Sequence, residues 1–181
     1  MTDWRVALIG LRGSGKTSVG RCLAALLRVP FFDGDAAVLE RTGRSSAEWL
    51  RGDGEAVFRD VERDVTGALA RCPVGVLALG GGAPIDPRTR AALRGWQVVW
   101  LEAATPALVA RVERDSLTER PALSAEPLAK ELETQRRDRE AIYAALQPCL
   151  RLATDVASVA EVARSIADHL QASELGKRES C

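Results

Sequence analysis

The 181-residue chain is 46% hydrophobic and 28% charged, a composition ordinary for one globular domain and too apolar for a disordered chain. Its 25 basic and 25 acidic residues cancel, so it lacks the basic excess of a protein that coats nucleic-acid phosphates. No apolar run approaches the ~18 residues of a membrane span, and Met1-Thr2-Asp3-Trp4-Arg5 does not read as a secretory signal, so neither a nucleic-acid nor a membrane partner is expected.

Elements alternate along the chain. The apolar run Arg5 to Gly10 reads as a buried strand, and Val19, Leu23, Leu26 and Leu27 give Gly15 to Leu27 a helical period. Pro30 to Asp33 reads as a second strand. Two short helical pieces follow, Ala36 to Thr42 and Ser45 to Leu50, parted by Gly43, and then a longer helix over Glu55 to Ala70. Val74 to Leu79 is a third strand running into Gly80-Gly81-Gly82. Asp86-Pro87 and Thr105-Pro106 each open a helix on either side of a fourth strand, Gln97 to Leu101. Asp115 to Pro127 has no clean period and is expected to be a mobile loop. Leu128 to Leu146 is helical, Cys149 to Ala153 a fifth strand, and Ser158 with Glu161 a capping box ahead of a last helix with Val159, Val162, Ile166 and Leu170 on one side. The polar tail from Ser173 is expected to fray. Strands that are apolar throughout, alternating with helices, imply an α/β fold with a parallel sheet covered on both faces.

Residue types narrow the chemistry. Cys22, Cys72, Cys149 and Cys181 are scattered, with no C-x-x-C pair, as expected of free thiols in a reducing cytoplasm. The single histidine, His169, excludes any site needing two. What remains is Asp, Glu, Lys, Arg and backbone. Three polar stretches lie at predicted strand ends, where ligands bind in such folds. Gly10-Leu11-Arg12-Gly13-Ser14-Gly15-Lys16-Thr17 fits G-x-x-x-x-G-K-[ST]: the glycines let backbone N–H groups turn toward phosphates, Lys16 reaches the β- and γ-phosphates, and the Thr17 hydroxyl can ligate Mg²⁺. The phosphate site thus spans Gly13, Ser14, Gly15, Lys16, Thr17 and Ser18. Asp33-Gly34-Asp35 can serve a metal and an acceptor hydroxyl, although Asp35 could instead cap the next helix. The triple glycine lets backbone approach a ligand closely. Arg59, Arg120 and Arg139 read, from spacing alone, as solvated charges on helices or loops, with Arg59 paired to Glu55 or Glu62.

Taken in order, these motifs resemble the shikimate kinases, small P-loop kinases of the nucleoside-monophosphate-kinase type. The resemblance runs from about Arg5 to Ala153. It rests on the P-loop, Phe32-Asp33-Gly34-Asp35, Gly54-Glu55-x-x-Phe58-Arg59-x-x-Glu62, Gly80-Gly81-Gly82-Ala83, Arg120-Pro121-x-Leu123, and Arg139 four residues before Tyr143. It implies a three-layer P-loop kinase fold over 1–172, a five-stranded parallel sheet of order 2-3-1-4-5, and a mobile lid at about 116–124 ahead of a tail over 173–181. It implies ATP and Mg²⁺ as cofactors and shikimate as the small-molecule substrate of a cytoplasmic, monomeric enzyme of aromatic amino-acid biosynthesis. Asp35 would bind the acceptor hydroxyls and take the proton. Arg59 and Arg139 would grip the substrate carboxylate, with Gly80, Gly81 and Gly82 against the substrate. Arg120 would close on the phosphates, and Asp33 would stand near Mg²⁺ through water. Lys16, Asp35 and Arg120 would then be the catalytic set.

The chain also departs from the family pattern. Glu140 stands where proline is usual after Arg139, with Arg136 and Arg137 nearby. Ala144 to Pro148 replaces an acidic, valine-rich stretch, and no adenine-contacting loop is recognisable near Thr154 to Ser158. Arg12 is bulkier and more charged than the P-loop position usually carries. Gluconate kinase, which also joins a P-loop to Asp-Gly-Asp, is the related alternative, and a non-catalytic nucleotide-binding regulatory module the more distant one.

Overall fold

The computed structural model describes residues 4–116 and 127–179. Five strands, β1 (Arg5–Ile9), β2 (Phe31–Asp33), β3 (Gly75–Ala78), β4 (Gln97–Glu102) and β5 (Leu150–Ala153), form one sheet of order β2-β3-β1-β4-β5. Every pairing is parallel: Val6 lies opposite Val76 and Gln97, Phe32 opposite Leu77, and Val99 opposite Leu150. This is the predicted order.

Alternation along β1 shows how the layers form. Val6 and Leu8 point to one face and pack with Val19 and Leu23 of α1 (Lys16–Leu27) and with Val162, Ile166 and Leu170 of α8 (Val159–Glu179). Ala7 and Ile9 point to the other, against Leu77, Trp100 and Tyr143 of α7 (Leu128–Ala144). A strand buried on both faces must be apolar at every position, which is why β1 reads as an unbroken run. A third cluster, Leu11, Leu108 and Leu132, underlies the P-loop between α6 (Thr105–Ser116) and α7. A fourth, Val38, Phe58 and Val65, joins α2 (Gly34–Thr42), α3 (Ser46–Gly52) and α4 (Gly54–Leu69). A 3₁₀ turn, Ala83–Ile85, precedes α5 (Pro87–Ala92).

Two expectations need correction, and one element is additional. The helix after β2 starts at Gly34, because Asp33 is its cap: the Asp33 side chain accepts from the N–H groups of Asp35 and Ala36 at 3.0 and 3.2 Å. Asp35 is therefore inside the first turn, not the cap. The 3₁₀ turn was not foreseen. Finally, α8 does not fray at Ser173 but continues to Glu179. Its extension, Ser173 to Glu179, carries Glu, Leu, Lys and Arg, which propagate an already nucleated helix, and the Ser173 hydroxyl donates back to His169 O at 2.9 Å. Gly43 ends α2 as expected, at φ 69°, with its N–H on Leu39 O.

Candidate active site

The loops leaving β1, β2 and β3 meet at the carboxyl end of the sheet, where two cavities of about 360 and 370 Å³ adjoin. One lies over the P-loop, the other between α2, α3, α4 and α7.

The P-loop leaves β1 at Gly10, whose φ of 147° and 2.2 Å gap from an ideal Cβ to Leu101 O admit only glycine. Gly15 caps α1 in the left-handed region with no side-chain partner for the first turn, so the N–H groups there are left for an anion. Lys16 folds back over the loop, its Nζ donating to Gly10 O and Leu11 O at 2.8 Å each. The loop is also braced from behind. Arg111 on α6 donates to Gly13 O at 3.1 Å and to both Thr154 oxygens, while the buried Thr154 hydroxyl donates to Ser14 O at 3.1 Å. Nothing in the sequence marks Arg111, one arginine in an ordinary helical period. Ser14 is fully buried, and Ser18 lines the phosphate cavity with Gly13, Gly15, Lys16 and Thr17.

The two aspartates after β2 divide their work. Thr17 Oγ1 donates to Asp33 Oδ2 at 2.7 Å, while Asp33 Oδ1 caps α2. Two hard oxygens side by side at a phosphate loop suit Mg²⁺, which keeps most of its shell as water and phosphate oxygen. Asp35 points into the second cavity, and its Oδ1 accepts from the Ser46 hydroxyl at 2.8 Å. Sequence reasoning missed Ser46. It is the first residue of α3, held by a complete capping box of Ser45 and Glu48.

Arg59 joins the two readings that the sequence left apart. On α4 it donates to Glu62 at 2.6 Å and to Glu55 at 2.9 Å, and it also lines the second cavity. Its guanidinium lies where a Cβ on Gly82 would stand, 2.3 Å away, and the Glu62 carboxylate does the same at Gly80. The triple glycine is thus what lets these side chains reach the cavity. Burial pushes the Glu62 carboxyl above the usual glutamate range; Arg59 opposes this and nearby Asp35 reinforces it. The paired Arg59 is itself raised, its glutamates outweighing the cost of burial, so pairing wins at the arginine and burial at the glutamate. Across the cavity, Arg139 approaches Gly81, with its Nη1 3.3 Å from an ideal Cβ there. Tyr143 donates to Gly81 O at 2.5 Å and stacks edge-on to Trp100. The neighbouring arginines turn away: Arg136 donates to Ala103 O at 2.6 Å, and Arg137 is exposed.

The structure therefore brings together Lys16, Thr17, Asp33, Asp35, Arg59, Arg139 and the three glycines. Arg120 and positions 117–124 of the expected lid lie outside the described residues, and its first position, Ser116, instead ends α6. Among the described residues, no cluster of three or more His, Cys, Asp or Glu could hold a metal by itself, and no helix is long and apolar enough to cross a membrane.

Known proteins show the same design. The family model for shikimate kinase matches residues 12–171. The shikimate kinase of Thermobifida fusca is 43% identical over 166 residues, covering 91% of this chain and 94% of that one. The solved structure of shikimate kinase from Acinetobacter baumannii in complex with shikimate superposes with a TM-score of 0.87 at 29% identity, covering 95% and 96% of the two chains. A gluconokinase from Sinorhizobium meliloti, 20% identical with a TM-score of 0.64 over 99% and 98%, shares the fold alone.

Proposed function

Because the chain belongs to the shikimate kinase family, we propose that it transfers the γ-phosphoryl group of ATP to the 3-hydroxyl of shikimate, giving shikimate 3-phosphate and ADP. The observation that carries this reading is the second cavity. Arg59 and Arg139 line it against a glycine wall, with the Asp35 carboxylate beside the P-loop. A planar carboxylate suits guanidinium forks, and a polyhydroxylated acceptor needs a carboxylate near the hydroxyl that reacts.

In this reading Arg59 and Arg139 fix the substrate carboxylate, and the Gly80-Gly81-Gly82 backbone lies against its ring. Asp35 receives the hydroxyl proton, and Ser46 holds the carboxylate in place through its other oxygen. Lys16 and the α1 N-terminus draw charge toward the equatorial oxygens of the transferring group. Thr17 and Asp33 would hold Mg²⁺, which would supply charge neutralisation for the phosphates. Arg120 would complete the enclosure from the lid. The same reading takes the protein to be a cytoplasmic monomer.

A coupled ADP-release assay with shikimate, gluconate or no acceptor tests the reading. ADP release should require shikimate. Equal release with gluconate, or release indifferent to acceptor, would overturn it.

A further inference from the structure

The P-loop pattern leaves its second variable position open, and here it holds Arg12. A loop arginine is ordinarily a solvated charge. Arg12 is only 17% exposed, and its Nη2 donates to Glu131 Oε1 at 3.0 Å. Glu131 is itself one of the few buried charged residues. It lies in the first turn of α7, and Gln135 and Arg139 follow at four-residue intervals on the same face. Gln135 donates to the same Glu131 oxygen at 2.8 Å, and Gln135 and Arg139 line the acceptor cavity. A stripe on α7 thus anchors the Arg12 side chain at the cavity edge.

Arg12 lines both cavities, and so do Thr17, Asp33, Asp35 and Gly81. In the proposed function Thr17 and Asp33 serve the metal, Asp35 serves the hydroxyl, and Gly81 offers backbone. Arg12 is the cation of this shared set. The seam between the cavities is where a phosphoryl group must cross, with its charge spread over equatorial oxygens.

We propose that Arg12 contacts the phosphoryl group in transit and remains bound to it on the phosphorylated product. The inference rests on the kinase reading above. In the step, the acceptor hydroxyl oxygen forms the new bond to the γ-phosphorus. The bond from that phosphorus to the β,γ-bridging oxygen breaks, ADP leaves with its electron pair, and the hydroxyl proton passes to Asp35. Arg12 exchanges no proton, since a guanidinium stays charged throughout the working pH range. Its five donors allow one edge to serve Glu131 while another faces phosphoryl oxygens. Arg59 and Arg139 are then left to the carboxylate.

The test is calorimetric binding of shikimate 3-phosphate and of shikimate to the nucleotide-free protein, alongside turnover. Arg12→Met should weaken shikimate 3-phosphate by roughly 10- to 100-fold, as loss of a charge-assisted contact does, while shikimate affinity stays within about threefold. Its kcat should fall by about 100-fold or more with little change in the shikimate KM. Arg12→Lys should lie between the two and covers the case in which the methionine variant does not fold. Glu131→Gln removes the charge opposite the guanidinium without removing the guanidinium itself, and product affinity should stay within about threefold. If Arg12→Met binds product as the wild type does, or if Glu131→Gln loses product affinity equally, Arg12 is a structural tie and the inference fails. A wild-type chain with no shikimate-dependent ADP release would instead overturn the kinase reading beneath it.

Discussion

At Arg59, a helix-surface ion pair and a substrate contact are the same side chain in two relationships. Spacing could reveal only the first, because Glu55 and Glu62 sit at helical intervals whether or not a ligand exists. The second depends on Gly82, twenty-three positions away, vacating the space its Cβ would fill. Arg59→Lys keeps the charge but loses the fork. The shikimate KM should rise roughly 10- to 150-fold, the worth of a charged hydrogen bond at ~1.4 kcal/mol per tenfold, with the ATP KM unchanged. Steady-state kinetics with either substrate varied checks this, and an unchanged shikimate KM would return Arg59 to the surface. Glu62 supplies a pH signature. Its proton is held more tightly in the folded protein than in the unfolded chain, because burial raises it. Its contribution to stability is therefore complete below the ordinary glutamate range and is lost as pH rises through the raised value. The stability of the wild type relative to Glu62→Gln should fall across that window, measured as urea midpoints at stepped pH. A difference that grew with pH would mean that Arg59 outweighs burial.

The helix α3 shows how an element of seven residues acquires a role. Alone it is far too short to be stable, so its capping box and the stack of Arg44 on Trp49 matter more than propensity. Ser45→Ala should cost about 0.5–2 kcal/mol. For a chain of this size that is a melting-temperature drop of roughly 1–8 °C. Because Ser46 sits in the same turn and touches Asp35, the shikimate KM should rise with it; a stability loss without a KM change would separate α3 from the acceptor cavity. Most elements were legible from hydrophobic period and punctuation: β1 as an apolar run, α1 behind a P-loop, α2 ended by Gly43. The P-loop, both aspartates and the triple glycine were legible because each is a local pattern at a strand end. Their family roles came from the resemblance. What escaped was whatever depends on distant partners. Ser46 gains meaning only when α3 folds against Asp35. Arg111 and Thr154 matter only because α6 and the turn after β5 pack behind the P-loop. Asp33 took the capping role weighed for Asp35, since two residues from one loop compete for the same N–H groups and only three-dimensional placement chooses between them.

The whole molecule is two helical layers around a sheet, and the layer formed by α1 and α8 closes the core behind the nucleotide site. Val19 and Leu23 share a buried cluster with Val162, Ile166 and Leu170. Deleting the chain from Ser158 onward should therefore do more than shorten a terminus. The product should be insoluble, or should bind a hydrophobic dye and lose near-ultraviolet circular dichroism, whereas removing only 177–181 should leave the melting temperature nearly unchanged. If the larger deletion melted cooperatively, α8 would be dispensable to the core. The placement of β1 has a consequence for biosynthesis. The first strand is the middle of the sheet, and its neighbours are Val76 on one side and Gln97 on the other. On the ribosome it emerges ahead of both strands that flank it and waits for partners still untranslated, and α1 waits longer, for a helix that begins at Val159. Such non-local closure is slow, and the exposed strand is a hazard until it occurs. A chain that has not yet reached α8 therefore displays the phosphate-loop residues without the packing that shapes them, and a nucleotide site should form only after α8 has docked.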